Sequence, residues 1–233
     1  MEGKRVAIMN KIRFCMLTLF FVAGCATDRG IKPRIEPTLD KRISEMQPLS
    51  RHVGLLIDPA LRGFKQDEYQ SDAVAGQHHY VFWIGEPLAV EIEKMAKRVF
   101  TKVTLINALP SGDVMEKTGL DNIVTVSLST SRLELGVEES IWHAIGKHYL
   151  TLHMTFLDKQ SHNIFGQSLS VEGKCVDVVD FETEGGWWKV AGPKYGPAVE
   201  DAIEKIVYDL AQQLSAVAAN QPAGAIDSMA QKN

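Results

Sequence analysis

The stretch Tyr149-Leu-Thr-Leu-His-Met-Thr-Phe-Leu157 alternates apolar and polar residues. In an extended chain successive side chains point to opposite faces. Leu150, Leu152, Met154 and Phe156 therefore share one face, and Tyr149, Thr151, His153 and Thr155 the other. Asp158-Lys-Gln-Ser-His-Asn163 has turn chemistry, and Ile164 to Val176 returns as the partner strand of a hairpin. Upstream, Ile123 to Leu128 and Arg132 to Leu135 read as further strand. Their apolar parity changes between Leu128 and Leu133, which requires either a bulge in one long strand or two pieces. The polar second face predicts an antiparallel sheet with one wet side.

Toward the N-terminus, His52 to Asp58 is a short apolar run of the kind covered on both faces. Pro59 to His79 is polar and reads as a long loop, and Tyr80-Val-Phe-Trp-Ile84 as a strand. From Gly85, the residues Leu88, Ile92, Met95 and Val99 step by four, three and four, with Ala89, Ala96 and Phe100 widening the stripe of an amphipathic helix. Pro87 suits its first turn. Glu86 at one end and Lys97, Arg98 and Lys102 at the other match the helix dipole. Val103 to Ile106 is the next strand, and Pro110-Ser-Gly112 a break. A second helix begins near Gly196-Pro197, shows Val199, Ile203, Ile206, Leu210 and Leu214 on one face, and ends near Ala216. This order predicts an α+β fold, a mostly antiparallel sheet with two amphipathic helices packed on one face.

The N-terminus has a separate logic. Phe14-Cys-Met-Leu-Thr-Leu-Phe-Phe-Val-Ala-Gly-Cys25 is an apolar run preceded by Lys11 and Arg13 and closed by small residues. That is the layout of a secretory signal, and it is shorter than the ~20 residues of a membrane span. Val22-Ala-Gly-Cys25 resembles the lipobox of bacterial lipoproteins. The resemblance implies cleavage before Cys25, a diacylglyceryl group on its thiol and an acylated new amino terminus. It also implies the outer membrane, with the domain in the periplasm, because Ala26 rather than Asp follows the cysteine. Met9 offers a second start that gives a shorter signal of the same kind. The chain then divides into a signal at 1–24, a lipid-anchored tether at 25–52, one domain at 53–217 and a disordered tail at 218–233. The tether reading rests on Pro33, Pro37, Pro48 and many charges. Within it, Thr38 is placed to cap a short helix showing Leu39, Ile43 and Met46.

Of the 25 basic and 29 acidic residues, Lys4, Arg5, Lys11, Arg13 and Glu2 leave with the signal, so the mature chain carries a net charge of −7. Such a chain has no long-range attraction for nucleic acid, and Lys and Arg nowhere cluster with aromatics. Cys15 leaves with the signal and Cys25 is the lipid site, so Cys175 is the one remaining thiol and no internal disulfide forms. A buried, inert Cys175 is expected.

The order of a βα unit, a run of strands and a terminal helix resembles the small periplasmic domains of outer-membrane lipoproteins. Among these are the lipopolysaccharide-assembly lipoprotein, the auxiliary lipoproteins of envelope ABC transporters and the penicillin-binding-protein activators. That resemblance implies a scaffolding or regulatory role and carries over no catalytic residues.

Candidate chemistry is sparse. His143, His148 and His153 are spaced five apart, which puts neighbours on opposite faces of a strand. His78-His79 is a loop pair. Asp177, Asp180, Glu182 and Glu184 form an acidic run without EF-hand spacing. No Gly-x-Ser-x-Gly, Ser-x-x-Lys, His-Glu-x-x-His or phosphate loop occurs. Gly185-Gly-Trp-Trp-Lys189 to Gly196 reads as a Gly-rich loop, and Trp187 and Trp188 are the candidate partner contact, since tryptophan anchors interfaces. The expectation is a non-enzymatic lipoprotein, without cofactor or metal, that binds another envelope protein or lipid. The alternative is an envelope hydrolase or metal-dependent enzyme using the acidic run or the histidines. A carrier of a soluble ligand is a third possibility.

Overall fold

The alternating stretch lies inside a longer strand of the computed structural model, which describes residues 30–72, 76–138, 143–178, 181–184, 187–190 and 195–220. For residues 72, 76, 138, 177, 178, 181–184 and 187–190 only the backbone is described. The elements, in chain order, are α1 Lys41–Ser44, β1 Leu49–Ile57, α2 Pro59–Arg62, β2 Lys65–Asp72 and β3 Gly76–Trp83. Then come α3 Gly85–Val99, β4 Phe100–Leu105, α4 Gly112–Thr118, β5 Asn122–Glu138 and β6 His143–Leu157. β7 Asn163–Val178, β8 Phe181–Glu184, β9 Trp187–Val190 and α5 Gly196–Ala219 complete the order.

β6 is the centre of the antiparallel half. Leu150, Leu152, Met154 and Phe156 are fully buried on its inner face. Asp158 closes the turn to β7 by accepting from the Gln160 and His162 amides, each at 2.8 Å. β5 is one strand with the bulge that its parity change requires, between Leu128 and Thr130. The irregularity carries the inner face from Val126 to Leu133.

The five-stranded sheet runs β4-β1-β5-β6-β7. β5, β6 and β7 pair antiparallel, but β1 is parallel to both β4 and β5. The sheet is thus mixed, correcting the expectation of a mostly antiparallel one. Parallel neighbours need a crossover, and α3 and α4 supply it on either side of β4. α4 and its flanks form a small second core of Met115, Leu120, Ile123 and Leu157 with Ile106.

The two long helices share the main core. α3 packs on β1 and β4 and against α5, and α5 lies on β6 and β7. Leu88, Ile92, Met95 and Val99 meet Val199, Ile203, Ile206 and Leu210 in one cluster with the inner face of the sheet. Close approaches at Gly173 and Gly85 need glycine. A Cβ on Gly173 of β7 would lie 2.2 Å from the Ala198 carbonyl oxygen and 2.4 Å from the Ala202 nitrogen of α5. A Cβ on Gly85 would lie 2.1 Å from the Leu61 carbonyl oxygen. Beside Gly173, Asp201 of α5 accepts the backbone N–H of Lys174 at 2.8 Å, and Lys205 donates to the Glu172 carbonyl at 3.0 Å.

Several segments read as loop or tether belong to the domain. From Ile31 onward the described chain is part of one compact unit. Ile31 pairs with Tyr80 of β3, donating to the His79 carbonyl at 2.7 Å and accepting from the Val81 amide at 2.8 Å. Ile43 is fully buried, with Leu39 and Met46 packed beside it. Asp40, not Thr38, caps α1, because Thr38 is engaged with Glu204 of α5 through its hydroxyl at 2.7 Å. β1 starts four residues before Val53, at Leu49. The polar stretch after Pro59 is α2 and then β2, which forms a hairpin with β3. α5 runs on to Ala219, so it includes the first two residues read as tail.

Gly173→Ala should destabilise the domain by about 1–3 kcal/mol through overpacking. Gly63→Ala, whose Cβ has 3.5 Å of clearance, should be nearly neutral. Urea midpoints of the two variants check this contrast.

Candidate functional site

Among the described residues, the outer face of β5, β6 and β7 is covered by a helix only at one end, where Met115 of α4 packs on Ile123 and Leu157. Direct partners share a face, so the register places Ser127, His153 and Ser168 in one row and Thr130, Thr151 and Ser170 in the next. Arg132, Tyr149 and Glu172 follow, then Glu134, Lys147 and Lys174. Hydroxyl groups bond across the strands, Thr151 with Ser170 at 2.9 Å and His153 Nδ1 with Ser168 at 3.2 Å. In the charged half, the Arg132 guanidinium lies 4.2 Å above the Tyr149 ring and pairs with Glu134. Tyr149 donates to Glu134 at 3.3 Å. Glu134, Leu135, Gly136, Val137, Ile145 and Lys147 line an open cleft of about 370 Å³ at the end of this face. Such a surface offers hydrogen-bond donors, acceptors and both charges on a rigid support. It suits recognition of a polar partner.

The inner face holds a polar chain that the sequence reading missed. Glu68 accepts from Gln66 Nε2 at 2.6 Å, and Gln66 Oε1 accepts from the Ser131 hydroxyl at 2.6 Å. Ser131 Oγ is 2.9 Å from His148 Nε2. A carboxylate only accepts, which fixes the amide of Gln66 and commits the hydroxyl proton of Ser131 to it. His148 must then donate through Nε2–H, leaving Nδ1 as a bare lone pair. Nδ1 is buried and has no hydrogen-bond partner among the described residues. Burial lowers the pKa of His148 to about 4. This chain ties the β2–β3 hairpin to β5 and β6. The signal for it was present: carrying the parity of Leu150 and Leu152 back one step puts His148 inside.

The residues singled out from the sequence do not form one site. Cys25 and Asp180 lie outside the described residues. Trp187 and Trp188 are not on a loop but on β9, whose backbone pairs them with Glu184 and Thr183 of β8. The acidic run is split between the end of β7, where Asp177 lies, and β8, which holds Glu182 and Glu184. His148 faces inward and His153 outward, as their odd spacing on one strand dictates, while His143 pairs with Glu138 at the far end of β6. His78 and His79 are in β3, not in a loop. His79 pairs with Asp67 at 2.9 Å. Cys175 is only partly buried, on β7 against Gly146. Among the described residues no three His, Cys, Asp or Glu side chains gather at a metal-sized site.

No family description and no curated protein matches the sequence. The fold is similar to several solved structures. A dodecamer of PelC from Paraburkholderia phytofirmans is 11% identical, with 74% of this chain and 93% of that chain covered and a TM-score of 0.37. The hypothetical protein CT253 from Chlamydia trachomatis is 10% identical, over 73% of this chain and all (100%) of that one, with a TM-score of 0.37. Lipoprotein GNA1162 from Neisseria meningitidis is 11% identical, over 70% and 99%, with a TM-score of 0.29.

The buried imidazole has a measurable signature. Its pKa is about 4 folded and about 6.5 unfolded, so between those values the unfolded chain binds more protons. Stability is then full above pH 6.5 and falls as the pH drops toward 4, by up to about 3 kcal/mol. Urea unfolding across that range should show the loss in the wild type. The slope should largely disappear in His148→Gln.

Proposed function

We propose that the chain is a bacterial lipoprotein, anchored through Cys25, whose domain binds another component of the cell envelope without catalysis. The observation that carries this reading is the run Phe14 to Cys25 ending in Val22-Ala-Gly-Cys25. Ala26 after the cysteine favours the outer membrane, and the exported domain would face the periplasm. No helix among the described residues is long and apolar enough to cross a membrane, so attachment in this reading falls to the lipid. Two or three acyl chains anchor firmly where one does not, since each buried methylene adds ~0.8 kcal/mol.

Recognition is the reading that the domain's exposed chemistry supports. The outer face of β5–β7 pairs most of its charges and hydroxyls with each other, which presents a pre-organised polar surface. The β8–β9 hairpin carries Trp187 and Trp188, and adjacent tryptophans on a short hairpin suit an anchoring contact. The partner is a protein or lipid of the envelope, and no cofactor is required.

Cys25→Ala should yield an uncut precursor that takes up no labelled fatty acid. Continued acylation of that variant would rule out the lipobox reading. Membrane fractionation should find the wild type with outer-membrane markers. Trp188→Ala should weaken crosslinking to the partner in intact cells, at a cost of ~2 kcal/mol or more, while the thermal midpoint stays nearly constant. A large drop in that midpoint would make the ring a core residue, because losing a buried Trp costs ~3–5 kcal/mol.

A further inference from the structure

The β2–β3 hairpin has one face in the core and one in solvent. Tyr80 and Phe82 of β3 are fully buried, so their neighbours His79, Val81 and Trp83 point the other way. Register places Tyr69 of β2 opposite His79, and Lys65 opposite Trp83. Tyr69 is 74% exposed and Trp83 is 45% exposed, high values for rings of this size. The face is ordered nonetheless. Tyr69 stacks on His79 with ring centroids 4.4 Å apart and planes 4° from parallel. Two ammonium groups flank Trp83, Lys65 at 3.4 Å and Lys32 at 5.3 Å from the ring centroid.

The chain enters the domain at this same hairpin, because Ile31 is hydrogen-bonded along β3. Ile31 comes only six positions after Cys25. Fully extended, six residues span about 20 Å. A tether running to residue 52 would have allowed several times that reach. If Cys25 sits in a leaflet, β3 is held close to the headgroups whatever the orientation of the rest.

We propose that the outward face of the β2–β3 hairpin, with Trp83, Tyr69, Lys32 and Lys65, rests on the phospholipid leaflet into which Cys25 is anchored. The inference rests on the anchoring reading given above and adds the surface that meets the membrane. Tryptophan and tyrosine favour the headgroup level, where an apolar ring and a polar edge are both satisfied. Lysine stems lie along the apolar layer while their ammonium groups reach the phosphates. Charge complementarity acts in the same direction. The mature chain is net acidic, so most of its surface is repelled by anionic lipid, whereas this face offers two cations and an Asp67 already paired with His79.

The test uses the mature, lipidated chain in vesicles of phosphatidylethanolamine and phosphatidylglycerol, with and without brominated acyl chains that quench nearby tryptophan. Fatty-acid content and flotation are measured on the same samples. In the wild type brominated lipid should quench part of the emission, and most of that quenching should be absent in Trp83→Phe. With Trp83 retained, the double variant Lys32→Glu, Lys65→Glu and the exposed-site variant Tyr69→Ser should each reduce it. These two keep the test intact if Trp83→Phe fails to fold. An acylated chain that floats but is quenched equally with and without Trp83 overturns this inference alone. A chain without fatty acid overturns the anchoring reading and this inference with it.

Discussion

Helix α5 can lie on β6 and β7 only because its backbone meets glycine there, and most of the molecule is arranged around that seat. The Ala198 carbonyl and the Ala202 nitrogen occupy the space where any side chain on Gly173 would begin. Gly146, on the neighbouring strand, leaves room for Tyr195 and Ala198 in the same way. This depth brings Tyr195 into an edge-on contact with Tyr80, at 5.4 Å between centroids, and so locates the β2–β3 hairpin. It also exposes the opposite flank of α5 to the N-terminal segment. Glu36 and Thr38 donate backbone N–H groups to Glu200 and Glu204 of the helix. A shift of the helix by one side-chain layer would release all of these together.

The two faces of the hairpin and the two faces of the main sheet divide the work. Inner faces carry the core and the chain from Glu68 to His148, a polar device that tolerates burial because nearly every group is matched. Outer faces carry rings, hydroxyls and paired charges that the core does not need. A protein whose role was purely to fill space would have little use for Tyr69 or Trp83 in solvent. It is contiguous exposed apolar surface that marks contact sites, and Tyr69, Val81 and Trp83 share one face of the hairpin.

Periodicity was legible and connectivity was not. Leu150 to Phe156 and Leu88 to Val99 declared their elements because long segments repeat one pattern. The bulge after Leu128 was legible for the same reason. Strand direction leaves no mark on such patterns, so the parallel pairing of β1 emerges only from the crossovers around it. β2 was hidden because Lys65 to Asp72 is polar on both sides, and its apolar cover comes from β3 and the core. The bridge before β1 was hidden because Ile31 stands singly among prolines and charges, whereas Leu39, Ile43 and Met46 did show the face of the short helix α1. Both isoleucines depend on distant partners: exposed Ile31 is held by its backbone bridge to Tyr80, and Ile43 is buried in the main core. The β8–β9 pairing had a signal in Gly185-Gly186 between two short runs, a two-residue hairpin pattern. The buried partners of His148 had no such signal, since Gln66 lies 65 residues before Ser131.

The terminal position of β7 carries a hazard of its own. A strand at the end of a sheet presents a row of unsatisfied donors and acceptors that can recruit another chain. Here the Lys174 N–H and the Glu172 carbonyl, adjacent along that open margin, are taken by Asp201 and Lys205 of α5. An incoming strand would have to displace two charged side chains before it could form its first ladder rungs at that point. The helix that completes the core thus doubles as a guard rail, and growth of the sheet by addition of a further copy is discouraged where β7 would otherwise invite it.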